Sequence, residues 1–204
     1  MIREDFILIR PTSEYASQLA EYRQEFLDAD SSMDGCGPLR RFEDPKEYIK
    51  ICIDYENPKT VPENLVQATQ FLCIRKSDNK LVGMIQVRHY FNEYLEKYAG
   101  HIGYSVRSSE RRKGYAKEML NLALPFCREI GLDKVLITCR DGNIGSEKTI
   151  LANGGIYEST VHESNSDRNL KRFFLVFKHF FSFCDILLYF VIYYCFSRKS
   201  VYTT

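Results

Sequence analysis

The sequence has no excess of charge of either sign. Its 204 residues carry 28 Lys and Arg against 27 Asp and Glu, for a formal net charge of +1. A chain with balanced charge produces no overall field that would draw it to nucleic acid or to strongly acidic partners. The basic residues are also not gathered on one predicted face. We therefore expect no nucleic-acid partner.

The sequence also lacks paired cysteines and two common functional motifs. No Cys-x-x-Cys pair and no His/Cys ligand spacing occurs, which predicts reduced thiols in a cytoplasmic protein and no metal site. No Gly-x-x-x-x-Gly-Lys-Ser/Thr motif is present, which excludes a P-loop nucleotide-binding protein. The charged residues 1–5 run directly into a strand pattern, so we expect no signal peptide. The seven unpaired cysteines are Cys36, Cys52, Cys73, Cys127, Cys139, Cys184 and Cys195.

Apolar spacing and turn residues predict a single α/β (α+β) domain with the order β-α-α-β-β-β-α-β-α-β-β. Ser13 is predicted as the N-cap of the first helix, and Asp44 with Pro45 as the start of the second. The predicted strands cover residues 6–10, 68–75, 80–89, 101–106, 134–139, 156–163 and 170–177. The predicted helices cover residues 13–27, 46–55, 114–130 and 144–153.

Residues 106–116 carry the most informative pattern in the chain. A β-prone run ends in a short polar turn, and the turn opens into a helix led by Arg111, Arg112, Lys113 and Gly114. The first N–H groups of a helix have no intrahelical partner, and the macrodipole makes that end positive. Such an end binds phosphate. A glycine there lets the backbone approach an anion closely. The segment therefore predicts a pyrophosphate site.

The spacing Arg111-x-x-Gly114-x-Ala116 resembles the Gln/Arg-x-x-Gly-x-Gly/Ala signature of the GCN5-related N-acetyltransferases (GNAT). Asn143-x-x-Ser146, at the start of the next predicted helix, is also similar to the family, and the likeness extends over residues 7–177. The resemblance implies a mixed central sheet of about seven strands with helices on both faces. It also implies acetyl-coenzyme A (acetyl-CoA) as the acyl donor, without a metal.

The resemblance implies two sets of cofactor contacts. The main chain of residues 111–116 would hold the pyrophosphate, with residues 105–107 along the pantetheine and the N–H of Val106 as oxyanion donor. Asn143 and Ser146 would contact the pantetheine or phosphate end. The expected cofactor-binding residues are Ser105, Val106, Arg107, Arg111, Arg112, Lys113, Gly114, Tyr115, Ala116, Asn143 and Ser146.

Catalytic groups are implied less directly. Many relatives carry Glu where this chain has His101, so His101 is the expected base, with Glu93 and His89 as alternatives. The family often places a tyrosine acid seven residues after the Asn, and Ile150 stands there instead. Tyr157, or alternatively Tyr104, is the expected acid; without either, solvent would protonate the thiolate.

The resemblance does not choose the acceptor amine. Residues 88–90 and the loops 28–41 and 91–99 are expected on the acceptor side, where acidic residues would suit a cationic amine. The acceptor is a small molecule, an amino acid or a peptide; a protein lysine or an aminoglycoside-like amine stays open. A non-catalytic acyl-CoA-binding or sensing domain is the alternative from another class. Because many relatives dimerise, a homodimer is a second open question. The acidic loop residues are Asp30, Asp34, Glu93 and Glu96.

The composition changes after residue 177. Residues 180–196 form a nearly unbroken apolar run, interrupted mainly by Asp185 and followed by Arg198 and Lys199. We therefore divide the chain into a domain at 1–177 and a hydrophobic extension at 178–204. Three interpretations of the extension stay open. It packs on the domain or a partner subunit, it anchors the protein in a membrane, or it is an accidental extension without function.

Overall fold

The computed structural model describes residues 5–177, and the extension at 178–204 lies outside the described residues. The described part contains seven strands and four helices in the order predicted from the sequence. The strands are β1 (Phe6–Ile9), β2 (Ala68–Arg75), β3 (Lys80–Arg88), β4 (Ile102–Val106), β5 (Lys134–Arg140), β6 (Ile156–Glu163) and β7 (Arg168–Val176). The helices are α1 (Ala16–Asp28), α2 (Pro45–Glu56), α3 (Tyr115–Glu129) and α4 (Ile144–Ala152).

The predicted central sheet is present as two antiparallel sheets. One has the order β1-β2-β3-β4 and the other the order β5-β7-β6. They meet between β4 and β5, where Gly100 forms an isolated bridge with Ile137. The backbone N–H of His101 also donates to the carbonyl of Leu136 at 2.8 Å. Beyond this junction β4 and β5 are not paired, so a cleft opens between them.

Helices cover both faces of the first sheet, as the sequence predicted. In β2, Phe71 and Cys73 belong to the core beneath α3, whereas Leu72 and Ile74 belong to the core beneath α1 and α2. Successive side chains of a strand point to opposite faces, so a strand buried on both faces is apolar at nearly every position. This explains why Phe71 to Ile74 in β2 form a continuous apolar run and not an alternating one.

Two helix starts test the capping predictions. Asp44 caps α2 as predicted, because its Oδ1 accepts from the N–H of Lys46 at 2.8 Å and Pro45 fills the first helical position. The prediction of Ser13 as the N-cap of α1 is wrong. Ser13 lies in a short 3-10 turn, and α1 begins at Ala16 without a side-chain cap. The buried Tyr15 anchors this turn instead, through a 2.6 Å hydrogen bond from its hydroxyl to Asn79.

From the sequence, a membrane anchor was one interpretation of the extension at 178–204. That extension lies outside the described residues. Between residues 5 and 177, no helix has the length and apolar character needed to cross a bilayer.

Candidate active site

A cleft of about 1030 Å³ opens where the two sheets separate. Its walls are β4, the turn at 107–114, the start of α3, β5 and the start of α4, and the segments 31–35 and 94–99 close its other side. Most of the residues predicted to bind the cofactor meet here although they come from separate parts of the chain. Those that line the cleft are Ser105, Val106, Arg111, Arg112, Gly114, Tyr115, Ala116, Asn143 and Ser146.

The start of α3 has the geometry of an anion site. Gly114 is the N-cap residue with a φ of 87°, in the left-handed region that glycine adopts at little cost. No atom lies within 4 Å of the position a Cβ would occupy on Gly114, so the backbone there faces open space. The first intrahelical acceptor is the carbonyl of Gly114, which bonds the N–H of Glu118. The N–H groups of the first turn are therefore left for a ligand.

Positive charge dominates the lining of the cleft. Glu110 and Asp34 are the carboxylates among its described lining residues, and Glu110 is compensated within the fold. Burial would raise the pKa of Glu110, but hydrogen bonds from Lys113, Lys80 and Arg75 lower it to about 2. A polyanion therefore meets a net positive surface. The cations that line the cleft are Arg88, Arg111, Arg112, Lys117, Arg140, Lys148 and Arg168.

Two of the residues predicted to bind the cofactor, Lys113 and Arg107, do not line the cleft and form ion pairs within the fold. Lys113 pairs with Glu110 at 2.7 Å. Arg107 is buried, pairs with Glu25 at 2.6 Å and donates to the carbonyl of Leu81 at 3.2 Å. Glu25 also accepts from the N–H of Ser109 at 2.9 Å. These bonds hold the turn after β4 in place, so their contribution to the site is to position the backbone.

The edge of β4 that faces the cleft offers free main-chain groups. The N–H of Arg107 donates to β3 at the carbonyl of Val82, and the carbonyl of His101 accepts from Arg88 of β3. Alternate residues of a strand direct their main-chain groups to opposite sides. The N–H groups of Tyr104 and Val106 therefore point toward the cleft, where a ligand with amide groups can pair with them.

The start of α4 closes the opposite wall. Asn143 caps α4, since its Oδ1 accepts from the N–H of Ser146 at 3.1 Å, as the predicted helix start requires. The hydroxyl of Ser146 lies 2.9 Å from the hydroxyl of Tyr104 on β4. Burial raises the pKa of Tyr104, and Tyr104 therefore keeps its proton at neutral pH. The two walls of the cleft are thus joined by a pair of hydroxyl groups.

Comparison with known proteins identifies the family to which the chain belongs. The sequence model of the acetyltransferase (GNAT) family matches residues 36–152, more than half of the chain. The chain belongs to the GNAT family. No curated protein sequence matches it significantly.

Solved structures share the fold at low sequence identity. The ribosomal-protein-S5-alanine acetyltransferase from Vibrio fischeri is 16% identical, with a TM-score of 0.66 over 86% of this chain and 95% of that one. The microcin C7 self-immunity acetyltransferase MccE, solved with acetyl-CoA and AMP, is 18% identical, with a TM-score of 0.62 over 86% and 94%. The ribosomal L7/L12 alpha-N-protein acetyltransferase RimL, solved with coenzyme A, is 14% identical, with a TM-score of 0.64 over 86% and 96%.

The predicted base of this GNAT domain, His101, lies at the junction of the two sheets and does not line the cleft. It is 6% exposed, and its Nδ1 accepts from the backbone N–H of Leu136 at 3.0 Å. Its ring lies on Phe91, with 3.9 Å between centroids. Burial and the nearby Arg88 guanidinium lower the pKa of His101 to about 4. This position is that of a residue that joins two sheets, and it does not support the predicted role as base.

Three more of the predicted catalytic side chains also lie outside the cleft lining. Glu93 is exposed. Tyr157 is 52% exposed and its hydroxyl bonds Thr160 at 2.9 Å. His89 bonds Thr69 at 2.9 Å and packs on Phe126, and burial lowers its pKa. The fold therefore brings most of the predicted cofactor contacts to the cleft, but not His101, the expected base, or Tyr157, the expected acid.

Ile150 occupies the position at which many relatives have the tyrosine acid. It is fully buried and belongs to the core beneath α3. Tyr104, the alternative acid, is the tyrosine that lines the cleft from β4 and contacts α4. Its sequence neighbourhood predicted a strand but not the orientation of its side chain.

The segment 31–36 is held across β4 by a close backbone approach. A Cβ on Gly35 would lie 2.1 Å from the carbonyl oxygen of Gly103, so a larger residue does not fit. The carbonyl of Gly35 accepts from Nε2 of Gln70 at 2.8 Å. This packing carries Asp34 to the rim of the cleft. Gln70 and Glu25, which fix the two loops, were not found from the sequence because both act over long sequence separations.

Proposed function

We propose that this protein is an acetyl-CoA-dependent N-acetyltransferase that transfers the acetyl group directly to a primary amine. The observation that carries the proposal is that two groups of main-chain N–H donors, each without an acceptor in the described fold, face one cleft. One is the open N-terminus of α3 at Gly114, and the other is the free edge of β4 at Tyr104 and Val106. The first fits a pyrophosphate, and the second fits the amide groups of a pantetheine arm.

The cofactor contacts follow from that placement. The N–H groups of the first turn of α3, with Arg112, hold the pyrophosphate. Arg111 adds positive charge beside it, while its Nε donates to the carbonyl of Val106 at 3.0 Å and its Nη2 to the hydroxyl of Ser31 at 3.2 Å. The edge of β4 pairs with the pantetheine amides and places the thioester beside the N–H of Val106. That N–H donates to the oxyanion as it forms. Asn143 and Ser146 contact the arm from the opposite wall.

The reaction needs one proton acceptor and one proton donor. The ammonium loses one proton, and the neutral amine then attacks the carbonyl carbon of the thioester and forms the C–N bond. The C–S bond breaks, and the second proton on the nitrogen passes to solvent to leave the amide. Asp34 receives the proton from the ammonium, because Glu110, the other carboxylate of the described lining, is held by three cations. Tyr104, supported by Ser146, gives a proton to the thiolate. Solvent returns the proton to Tyr104.

The acceptor we favour is the α-amine of a peptide or protein N-terminus. Two of the structural neighbours are named as acetyltransferases of ribosomal proteins, one of them as an alpha-N-protein acetyltransferase. A peptide requires an open approach, and the cleft is continuous with a second groove at its acceptor side. Amino acids and other small amines remain acceptors to be tested beside peptides.

The alternative is an acyl-CoA-binding or sensing domain without turnover. It is favoured by Ile150, which stands in the core where many relatives carry a tyrosine acid, and by the structural role of His101. Both functions require the same cofactor contacts, so they differ only in the transfer step.

The test combines binding with turnover on the full-length protein. Calorimetric titration with acetyl-CoA measures the cofactor affinity, and a thiol-reactive dye measures the release of coenzyme A in the presence of peptides and small amines. We expect micromolar binding and amine-dependent thiol release. Binding without release for any amine would favour the sensing domain. Failure of acetyl-CoA to bind would refute the cofactor site itself.

A further inference from the structure

A second groove of about 570 Å³ opens beside the cleft on its acceptor side. It runs between the segment 32–41 and the ends of β2 and β3. The two spaces share part of their lining, so they form one continuous surface. The residues that line both are Ser32, Asp34, Arg88, Tyr94 and Leu95. A molecule bound in the groove therefore reaches the cleft by passing Asp34 and Arg88.

Arg88 stands at this junction with much of its guanidinium unpaired. Its Nη1 donates to the carbonyl oxygens of Gly100, at 3.1 Å, and Ala99, at 3.4 Å. Within residues 5–177, neither Nε nor Nη2 has a hydrogen-bond acceptor, and no carboxylate lies within 4 Å to form an ion pair. Burial lowers the pKa of Arg88, yet a guanidinium remains charged. The Asp34 carboxylate favours the charged form of Arg88 but does not pair with it, so a bound carboxylate would supply the ion pair that the described part of the fold does not.

The rest of the groove reinforces the positive charge. Arg40 and Arg41 also line it, and Asp34 is the carboxylate of its described lining. Nη2 of Arg40 is occupied by the carbonyl of Ser31, so Arg88 is the arginine that both borders the cleft and offers free donors. The two charges at the junction have opposite signs. Asp34 fits the ammonium of an acceptor, and Arg88 fits a negative group next to it.

We propose that Arg88 binds a carboxylate of the acceptor, so that the substrate is an amine with a carboxylate close to it. The inference rests on the proposed function and narrows its substrate class. The guanidinium fork matches a carboxylate with two parallel hydrogen bonds. The carboxylate has two sources: the α-carboxylate of a free amino acid, or the side chain of an acidic residue near a peptide N-terminus.

Binding of matched probes to the coenzyme A-loaded protein tests the inference without requiring turnover. One arm compares the peptide amides Ala-Asp-Ala-Ala and Ala-Asn-Ala-Ala, and the other compares alanine with alaninamide. Hydrogen bonds to charged groups contribute about 1.5–3 kcal/mol, which corresponds to roughly 10- to 100-fold in affinity. We expect the carboxylate probe to bind at least about 10-fold more tightly in one arm, and the arm identifies the source. A ratio near one in both arms would overturn the inference.

Variants assign the selectivity to Arg88. In Arg88→Met the ratio should fall to near one, and in Arg88→Lys, which keeps the charge but loses the fork, it should be intermediate. Arg41→Met is the matched control, because it removes an exposed arginine of the same groove and should keep the ratio. An unchanged ratio in folded Arg88→Met, checked by thermal unfolding, would contradict the assignment. If Arg88→Met does not fold, Arg88→Lys and the wild-type ratio still decide.

Thiol release separates failure of this inference from failure of the proposed function. Equal turnover of acidic and neutral probes, unaffected by Arg88→Met, would leave the acetyltransferase function standing and refute the role of Arg88. Charge-selective binding without any thiol release would support the carboxylate site and refute the transfer reaction.

Discussion

Lowering the pH from 7.5 to 5.5 should destabilise this protein through His101. In the folded state burial and Arg88 hold the pKa of His101 at about 4, against an ordinary value of 6.5 for the unfolded chain. Between these values the unfolded chain binds a proton that the folded protein does not, so acid favours unfolding. At pH 7.5 both states are neutral and the effect is absent. At pH 5.5 it amounts to about 1.4 kcal/mol, because the unfolded histidine is mostly protonated.

The assay is urea unfolding of the wild type and of His101→Asn at both pH values. Asparagine places an acceptor near the position of Nδ1, which accepts from Leu136, so the variant keeps that hydrogen bond in part while losing the titration. The free energy of unfolding of the variant should change about 1.4 kcal/mol less between the two pH values than that of the wild type. His162→Asn, at an exposed position, is the control and should behave as the wild type. An equal pH dependence in wild type and His101→Asn would refute the reasoning.

Three further predictions concern the cleft. Gly114→Val should weaken acetyl-CoA binding by at least about 10-fold. The left-handed backbone conformation of the valine should also lower the free energy of unfolding by ~1–2 kcal/mol. Gly131→Val is its control, since Gly131 has a φ of 84° with equal open space but lies at the far end of α3; equal losses of affinity in calorimetry would contradict the pyrophosphate site. Tyr104→Phe should lower kcat about 10- to 100-fold at nearly constant acetyl-CoA affinity, and an unchanged kcat in steady-state assays would remove Tyr104 as the acid. Glu110→Gln should cost about 3 kcal/mol in urea unfolding, because it removes the buried carboxylate that Arg75, Lys80 and Lys113 share. Because the folded pKa of Glu110 is near 2, its stabilisation is present above the unfolded value of 4.5 and is lost below it, and an unaltered acid limb would count against the network.

The order of the strands and helices was predictable because each of them is marked by residues within it or next to it. Asp44 with Pro45 marks the start of α2, and the apolar runs of β2 and β5 mark buried strands. The start of α1 was not predictable, because the preceding turn is held by a hydrogen bond from Tyr15 to Asn79, which is distant in the sequence. A distant anchor of this kind leaves no local signal.

The proposed cofactor site also depends on a local pattern. The left-handed Gly114, the basic residues before it and the helix after it are neighbours in the chain, so spacing alone places them together. Lys113 and Arg107 were predicted to bind the cofactor because their charge was visible in the sequence, whereas their ion-pair partners in the fold, Glu110 and Glu25, were not. A charged residue in the sequence indicates an ion pair, but it does not tell whether the partner is a ligand or another side chain of the protein.

By itself the sequence determined the α+β architecture and the family, and it predicted an anion site at the start of α3, since all three depend on periodicity and short motifs. Tertiary structure alone decided which side chains face the cleft. It directed His101 toward Leu136, brought Tyr104 to Ser146 and left Arg88 at the junction with the second groove. Those outcomes depend on where two sheets separate and how loops cross them. They are set by contacts between residues far apart in the chain, which no local pattern encodes.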